Sequence, residues 1–443
     1  MSVLFHPAFV NRVSKDDFLP KNILESLQTD APSSIRKHPL KTKQVFEGER
    51  AIEWCGNAFH LPARPNFTLQ PLFHAGCFYP QEAGSMLLDT ALKSLELPLH
   101  AKILDLCAAP GGKSTLIASF LDGNGMLVSN EVINQRAKIL KENLTKWGYS
   151  NSIVTNNDPS DFARIPHFFD VIVVDAPCSG EGMFRKDPNS RKEWSPDNVQ
   201  FCASRQRRII SDVWPSLAVN GCLIYSTCTF NAQENEENIS WMLKEFDAEI
   251  VPIKIPDQFT VGRNGVGAYG FPGTSETEGF FLAVIRKLSP VNASIGKKNL
   301  SMLQKQKELL DLTHFANISD SEIYFWNNQL MAVPQKFADE FLMVQANFHI
   351  IKWGTNLGEI ARKGIIPHHE LAMSTSLLTY PNSIQVSRQE ALEYLHGDTF
   401  SLSGTPGFQL IRFENEALGW IKHLGNRFNN LYPKEWRIKM DVK

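Results

Sequence analysis

The most constraining stretch of this 443-residue chain is Lys102-Ile-Leu-Asp-Leu-Cys-Ala-Ala-Pro-Gly-Gly-Lys113, a short apolar run ending in a glycine turn. Residues 114–121 behind it have helical spacing, so the segment reads as strand, turn and helix. The rhythm continues. Met126–Asn130 is expected as a second strand, residues 135–147 as a helix ending at Gly148, and Ser152–Thr155 as a third strand. Asp170-Val-Ile-Val-Val-Asp175 reads as a fourth strand, and its lack of polar alternation predicts burial on both faces. Residues 221–227 and 279–286 supply a fifth strand and a late one. Strands alternating with helices predict an α/β fold class, a mostly parallel, doubly wound, Rossmann-like sheet over residues 86–290.

The flanks read differently. Residues 1–85 combine a helical start, expected over 16–27, with loops rich in proline and aromatics, as in an α+β subdomain. A polar stretch at 289–303 marks a boundary; 291–380 is expected as a linker and first C-terminal segment, and 381–443 as a further domain. A composition of 43% hydrophobic and 21% charged residues excludes a disordered chain, a collagen-like repeat and a coiled-coil rod. The longest apolar runs, 171–174 and 280–285, fall far short of the ~18 residues of a membrane-spanning helix. Met1-Ser-Val-Leu-Phe-His6 has no basic region leading into an apolar stretch, so the expectation is a cytoplasmic protein without a membrane partner. A monomer is expected. With a formal charge of −2, any nucleic-acid partner must be met by local patches. The seven cysteines are odd in number and lack a C-x-x-C, which supports neither a disulfide framework nor a zinc site, and no metal is expected.

In an open parallel sheet, ligands bind at the carboxyl ends of strands, where a glycine turn exposes backbone N–H groups at a helix N-terminus. Cys107, Ala108, Ala109, Pro110, Gly111, Gly112 and Lys113 form such a turn and are the expected cofactor-binding loop. A phosphate-binding loop would need glycine where Cys107 stands, and the G-x-G-x-x-G at Gly265, Gly267 and Gly270 runs into Phe271-Pro-Gly rather than a helix. Glu131 ends the second strand nineteen residues beyond Gly112, where a carboxylate can accept ribose hydroxyls. Asp158 follows the third strand and Asp175 ends the fourth. Three carboxylates and a glycine turn at successive strand ends describe a pocket for a nucleoside with little phosphate; capping of their own loops is the alternative for each acid.

Two further motifs close strands. Asp175-Ala-Pro-Cys-Ser-Gly-Glu-Gly182 follows the fourth, and Ser226-Thr-Cys-Thr-Phe230 the fifth. Neighbouring strands should bring Cys178 and Cys228 to one cleft, and a cysteine of lowered pKa is a strong nucleophile near neutral pH. Cys107, Cys55, Cys77, Cys202 and Cys222 read as packing residues.

These motifs, with Thr277-Glu-Gly-Phe-Phe281 and Phe78-Tyr-Pro-Gln-Glu-Ala-Gly-Ser85, resemble the Nol/Nop/Sun family of RNA (cytosine-5) methyltransferases over roughly residues 30–287. Glu390–Gly397 and the 418–437 segment are similar to the PUA-like region of the bacterial RsmF-type subgroup, whose substrate is small-subunit rRNA. The resemblance implies S-adenosylmethionine as cofactor, an N-terminal RNA-binding subdomain, a PUA-like RNA-binding domain at 381–443, and 16S rRNA in a ribosomal subunit or its precursor as partner. It also implies Cys228 as nucleophile and Cys178 as the residue assisting product release. DNA cytosine-5 methyltransferases place their nucleophile in a Pro-Cys pair, so the opposite assignment stands beside it. Asp175 could hydrogen-bond the cytosine, and Lys113 could orient the base or lower a thiolate pKa; packing of its stem is the alternative.

Cytosine C5 is a poor nucleophile until a thiolate adds at C6. One cysteine suffices for that step, and the second needs its own explanation. Residues 185–208 carry seven basic residues (Arg185, Lys186, Arg191, Lys192, Arg205, Arg207, Arg208) against three acidic ones, with Phe184 and Trp194 expected to stack on bases. The basic tail from Gly419, with Tyr432 and Trp436, suits the same use. Glu234, Glu236 and Glu237 read only as an acidic helix start. The rivals are a tRNA or DNA cytosine-5 methyltransferase, and a non-catalytic RNA-binding assembly factor.

Overall fold

A computed structural model describes residues 4–41, 46–291, 304–305, 316–362, 364–376, 378 and 380–442. The alternating segments form a central sheet from β1 (Lys102–Asp105), β2 (Met126–Asn130), β3 (Ser152–Thr155), β4 (Phe169–Asp175), β5 (Leu217–Thr227), β6 (Phe280–Lys287) and β7 (Ile350–Trp353), with short strands continuing beyond β6. Their order is β6-β5-β4-β1-β2-β3-β7. The five inner strands are parallel, while β6 and β7 run antiparallel to their neighbours. Val171–Val174 are wholly buried, as a strand covered on both faces requires. Helices α1 (Gly112–Leu121), α2 (Asn134–Trp147), α3 (Pro196–Val213) and α4 (Glu236–Glu245) accompany the strands.

The winding sets the place of the site. From β1 the chain moves outward to β2 and β3, then returns to the other side of β1 for β4 and β5. The winding reverses between β1 and β4, and a crevice opens at their carboxyl ends. Edge strand β7 comes from the segment expected as linker, so that segment helps complete the sheet.

The N-terminal region forms an antiparallel sheet ordered 50–51, 58–61, 33–37, 78–80. The helix expected over 16–27 is displaced. Pro7–Lys15 is the helix, burying Phe9 and Val13 one turn apart, and it stops at Asp16 in an extended conformation. Pro20 disfavours helix before it, and only the single turn Ile23–Ser26 follows.

After the central sheet come an antiparallel sheet over 321–326, 329–334, 355–361 and 364–367, and a last sheet of 383–385, 407–413, 416–423 and 428–430. Tyr394, Leu395, Ile411 and Tyr432 of the last region share a core with Ile35, Leu72 and Phe78 of the first. The C-terminal region is therefore docked on the N-terminal one. The boundary expected at 289–303 lies outside the described residues from 292 onward. Among the described residues, no helix is long and apolar enough to cross a membrane.

Candidate active site

Parallel register levels the two cysteine loops. Asp175 pairs with Ser226 across β4 and β5, and Ser226 Oγ donates to Asp175 Oδ1 at 2.8 Å. The loops leaving this point bring Cys178 Sγ to 3.0 Å from Cys228 Sγ, both thiols free and half-buried. Strand β6 braces the arrangement: Phe281 pairs with Thr227, which lays Thr277-Glu-Gly-Phe-Phe281 against the loops. Gly182 N–H donates to the Cys228 carbonyl at 2.8 Å, and a Cβ on Gly279 would lie 2.9 Å from Gly182 Cα.

Below the thiols lie two buried carboxylates. Glu181 accepts from Arg12, from Trp194 Nε1 at 3.0 Å and from the Phe230 N–H at 3.3 Å. Glu234 accepts from the Ser179 N–H at 3.0 Å, Asn231 Nδ2 at 2.7 Å and Gln206 Nε2 at 2.8 Å. Burial raises the Glu234 carboxyl, against the pull of Ser179 and Asn231. Each acid ties the Pro-Cys loop to the Thr-Cys loop. Glu234 is thus not a helix-start residue, as the sequence reading had it: α4 begins at Glu236, and Glu234 faces inward because Ser179 offers it a donor. Glu181, Asn231 and Gln206 were likewise missed; the available signal was a glutamate three residues after one cysteine and six after the other.

The glycine turn is pinned from α2. Arg136 donates to the Ala109 carbonyl at 2.8 Å and Asn143 Nδ2 to the Pro110 carbonyl at 2.8 Å. Gly111 has φ 118°, the left-handed region, and a Cβ there would press on Leu140 and Asn143. Asn130, not singled out by sequence, ends β2 and joins two loops by donating to the carbonyls of Leu106 and Asn157.

Asp105 ends β1 fully buried; Ser114 Oγ donates to its Oδ2 at 2.6 Å and its Oδ1 has no partner. Burial pushes its carboxyl up to about 7, against the pull of Ser114 and Lys113. Between the unfolded value of about 4 and that pH, the folded chain keeps a proton the unfolded chain has lost, so stability falls as pH rises through the window. Asp105→Asn should lack this decline in matched melts from acid to neutral pH. Parallel curves for the two proteins would contradict it.

A cavity of about 330 Å³ opens at the carboxyl ends, lined by Cys107, Ala109, Glu131, Asp158, Asp175, Cys178 and Cys228. A smaller one of about 180 Å³ adjoins it, sharing Cys107, Ala109 and Asp175 and adding Ala108, Pro110, Gly112 and Lys113. Gly111 lines neither and acts on the shape of the turn. Cys107 lines both, so it is not simply a packing residue against the helix. Cys55, Cys77, Cys202 and Cys222 are buried. Lys113 Nζ lies 2.8 Å from Asp175 Oδ2 and 5.0 Å from the Phe280 ring centre. Burial pulls the Lys113 ammonium down, but Asp175 more than offsets this and leaves it raised. Glu131 accepts from the Ile133 N–H at 2.9 Å, with Arg136 at 3.4 Å. Asp158 caps its own loop, accepting from the Ser160 N–H and hydroxyl, and faces Arg208 at 3.5 Å.

The expected RNA patch is partly used up inside the fold. Phe184 and Trp194 are buried against Phe9, at 5.1 and 5.4 Å between ring centres, and cannot stack on a base. Arg185 is buried on Glu278, Arg191 donates to the Leu27 carbonyl and Arg207 to Asn238. Tyr432 of the tail is buried as well, while Trp436 is half-buried. Arg205 and Arg208 line the larger cavity.

Family models match three segments: 16S rRNA methyltransferase RsmB/F over residues 92–286, the N-terminal domain of 16S rRNA methyltransferase RsmF over 7–83, and the methyltransferase RsmF PUA domain over 381–438. The ribosomal RNA small subunit methyltransferase F of Salmonella agona is 32% identical over 406 residues, 87% of this chain and 84% of that one. Its Vibrio cholerae counterpart is 31% identical over 447 residues, 94% and 93% of the two chains. Among solved structures, a methyltransferase homolog from Pyrococcus horikoshii is 27% identical with a TM-score of 0.56, over 65% of this chain and 96% of its own. NSun6 from Pyrococcus horikoshii with SFG shares the fold, at 20% identity and a TM-score of 0.56 over 65% of this chain and all of its own. A methyltransferase domain with an RsmF-type N-terminal domain and a C-terminal PUA domain, matched over nearly the whole length of its relatives, places this chain in the RsmF family of ribosomal RNA small subunit methyltransferases.

Proposed function

We propose that the chain transfers a methyl group from S-adenosylmethionine to C5 of a cytosine in 16S rRNA through a covalent cysteine–C6 intermediate. The observation that carries this reading is the pair of thiols 3.0 Å apart at the ends of adjacent strands, in one cavity with the glycine turn and Glu131. S-adenosylmethionine supplies an electrophilic sulfonium methyl. The turn Cys107–Gly112 and Glu131 would hold its nucleoside, the carboxylate accepting ribose hydroxyls. A fold neighbour crystallised with SFG, an S-adenosylmethionine analogue, supports this. The rRNA substrate rests on the relatives named for it and on the PUA domain.

Cys228 as thiolate adds to cytosine C6 and makes C5 nucleophilic. Lys113 would donate to the ring as charge develops, with Asp175, 2.8 Å from its ammonium, holding it and accepting from the exocyclic amine. After methyl transfer, a base takes the C5 proton, the C–H electron pair re-forms the C5–C6 double bond, and the C6–S pair leaves on sulfur as the Cys228 thiolate. Cys178 assists that release. The target base must leave its stack to reach Cys228, which favours a loop, a helix end or another accessible base.

Glu131→Ala should weaken S-adenosylmethionine binding about 10- to 100-fold, from a lost charge-assisted hydrogen bond of ~1.5–3 kcal/mol. Asp158→Ala should cost less, because its carboxylate is already engaged by Ser160 and Arg208. Calorimetric titration tests both; unchanged affinity in Glu131→Ala would remove the nucleoside assignment.

A further inference from the structure

One groove has no role in the chemistry above. A trough of about 780 Å³ runs between the N-terminal sheet and the methyltransferase domain, lined by the start of strand Ser33–Lys37, the 61–64 loop, Gln81, Glu82 and Lys186. It is continuous with the smaller cavity beside Lys113 and Asp175, since Pro80, Gln81, Glu82 and Lys186 line both. Its floor is the buried pair Arg185–Glu278, in which Arg185 Nε and Nη2 donate to the carboxylate at 3.2 and 3.1 Å. That cation is spent inside the fold.

Two cations on the walls are not. Arg64 and Lys186 are exposed and have no ion pair among the described residues, and the Arg64 guanidinium lies 5.4 Å from the Phe67 ring centre. The acid nearest the catalytic end, Glu82, is held by three amides: its carboxylate accepts from the N–H groups of Gly84, Ser85 and Glu278 at 2.7, 2.7 and 2.9 Å. Asp30 lies at the far end, where it also lines a second depression. Ser33, more than nine-tenths buried in the trough wall, has a hydroxyl without a partner. An open channel with two cations free of ion pairs on its walls, leading into a cavity for one flipped base, fits the chain that carries that base. We propose that the trough holds the single-stranded RNA segment on one side of the target cytosine, with Arg64 and Lys186 on its phosphates. This deepens the methyltransferase reading and rests on it.

Each phosphate contact on a single strand adds about 0.7 to the slope of log affinity against log salt. With the full-length protein and a single-stranded RNA dodecamer carrying one central cytosine, Arg64→Gln and Lys186→Gln should each flatten the slope by about 0.7, and together by about 1.4. Affinity at low salt should fall severalfold for each. Lys244→Gln, an exposed lysine on α4, controls for net charge and should change neither. 4-Thiouridine next to the cytosine should cross-link to the trough segments from one flank only. A slope unchanged in the double variant, equal cross-linking from both flanks away from residues 33–34 and 61–64, or no salt-dependent binding by the wild type would overturn the proposal. S-adenosylmethionine affinity and wild-type methylation of rRNA, measured on the same preparations, report the catalytic reading separately. If those hold while the slope does not move, the trough alone fails; if they are absent, the catalytic reading fails.

Discussion

Cys178→Ala should accumulate as a covalent protein–RNA conjugate that survives denaturing electrophoresis, whereas Cys228→Ala should form none and lose methyl transfer by on the order of 10⁴-fold or more. The two thiols lie 3.0 Å apart, within hydrogen-bonding reach of each other. The Cys178 thiol is pushed well above its ordinary range, first by its hydrogen bond with Cys228 and second by burial. A thiol so raised is a poor nucleophile, since the thiolate is the attacking form. Attack and elimination use different proton transfers, so one can fail while the other proceeds. Without Cys178, Cys228 still adds to C6 and C5 still takes its methyl, but the thioether is not resolved. Labelled S-adenosylmethionine should then deliver one methyl per chain and stop. RNA carrying 5-fluorocytosine, which has no C5 proton to lose, should trap wild type and Cys178→Ala alike and leave Cys228→Ala free. A stable conjugate in Cys228→Ala with none in Cys178→Ala would reverse the roles and give the Pro-Cys arrangement of DNA enzymes.

How far the sequence carries depends on whether a residue's surroundings are local. The run Val171–Val174 announces a buried parallel strand by itself, and β4 beside β5 follows from the winding, so the meeting of Cys178 and Cys228 was legible before any coordinates. The glycine turn was legible for the same reason. Residues whose meaning depends on distant partners were not. Arg185 counted toward a basic patch until Glu278, far along the chain, took its charge. Phe184 and Trp194 looked available for stacking until the helix Pro7–Lys15 laid Phe9 across them. Glu234 faces inward only because Ser179, Asn231 and Gln206 converge on it, a contact no spacing rule encodes. Strand β7 joins the sheet edge from residues 350–353, nearly two hundred positions after the β3 strand it pairs with. Asp158 shows the reverse case: a strand-end carboxylate can cap its own loop, and here it does.

Gly182→Ala should lower kcat about 100-fold and leave S-adenosylmethionine affinity close to wild type. Gly182 sits where three loops meet: a Cβ there would lie 2.4 Å from the Gly279 carbonyl oxygen and 2.9 Å from that of Cys228. Both obstacles are backbone atoms, which cannot rotate away as a side chain could. The Gly182 N–H also holds the Cys228 carbonyl at 2.8 Å, so the methyl pushes on the peptide that aims the nucleophile. The chain can relieve the clash only by moving the Thr-Cys loop, the Gly279 strand entrance or both. Overpacking of this kind costs about 1–3 kcal/mol, which should appear as a lowered Tm without loss of the fold. The glycine turn and Glu131 follow β1 and β2, outside the displaced loops, so the nucleoside end of the cavity keeps its shape. Single-turnover methylation with saturating cofactor separates the two effects: the rate of conjugate formation should fall, and cofactor titration should not. A kcat near wild type would mean that the Cys228 loop tolerates displacement and that the close approach of Gly182 and Gly279 serves stability alone.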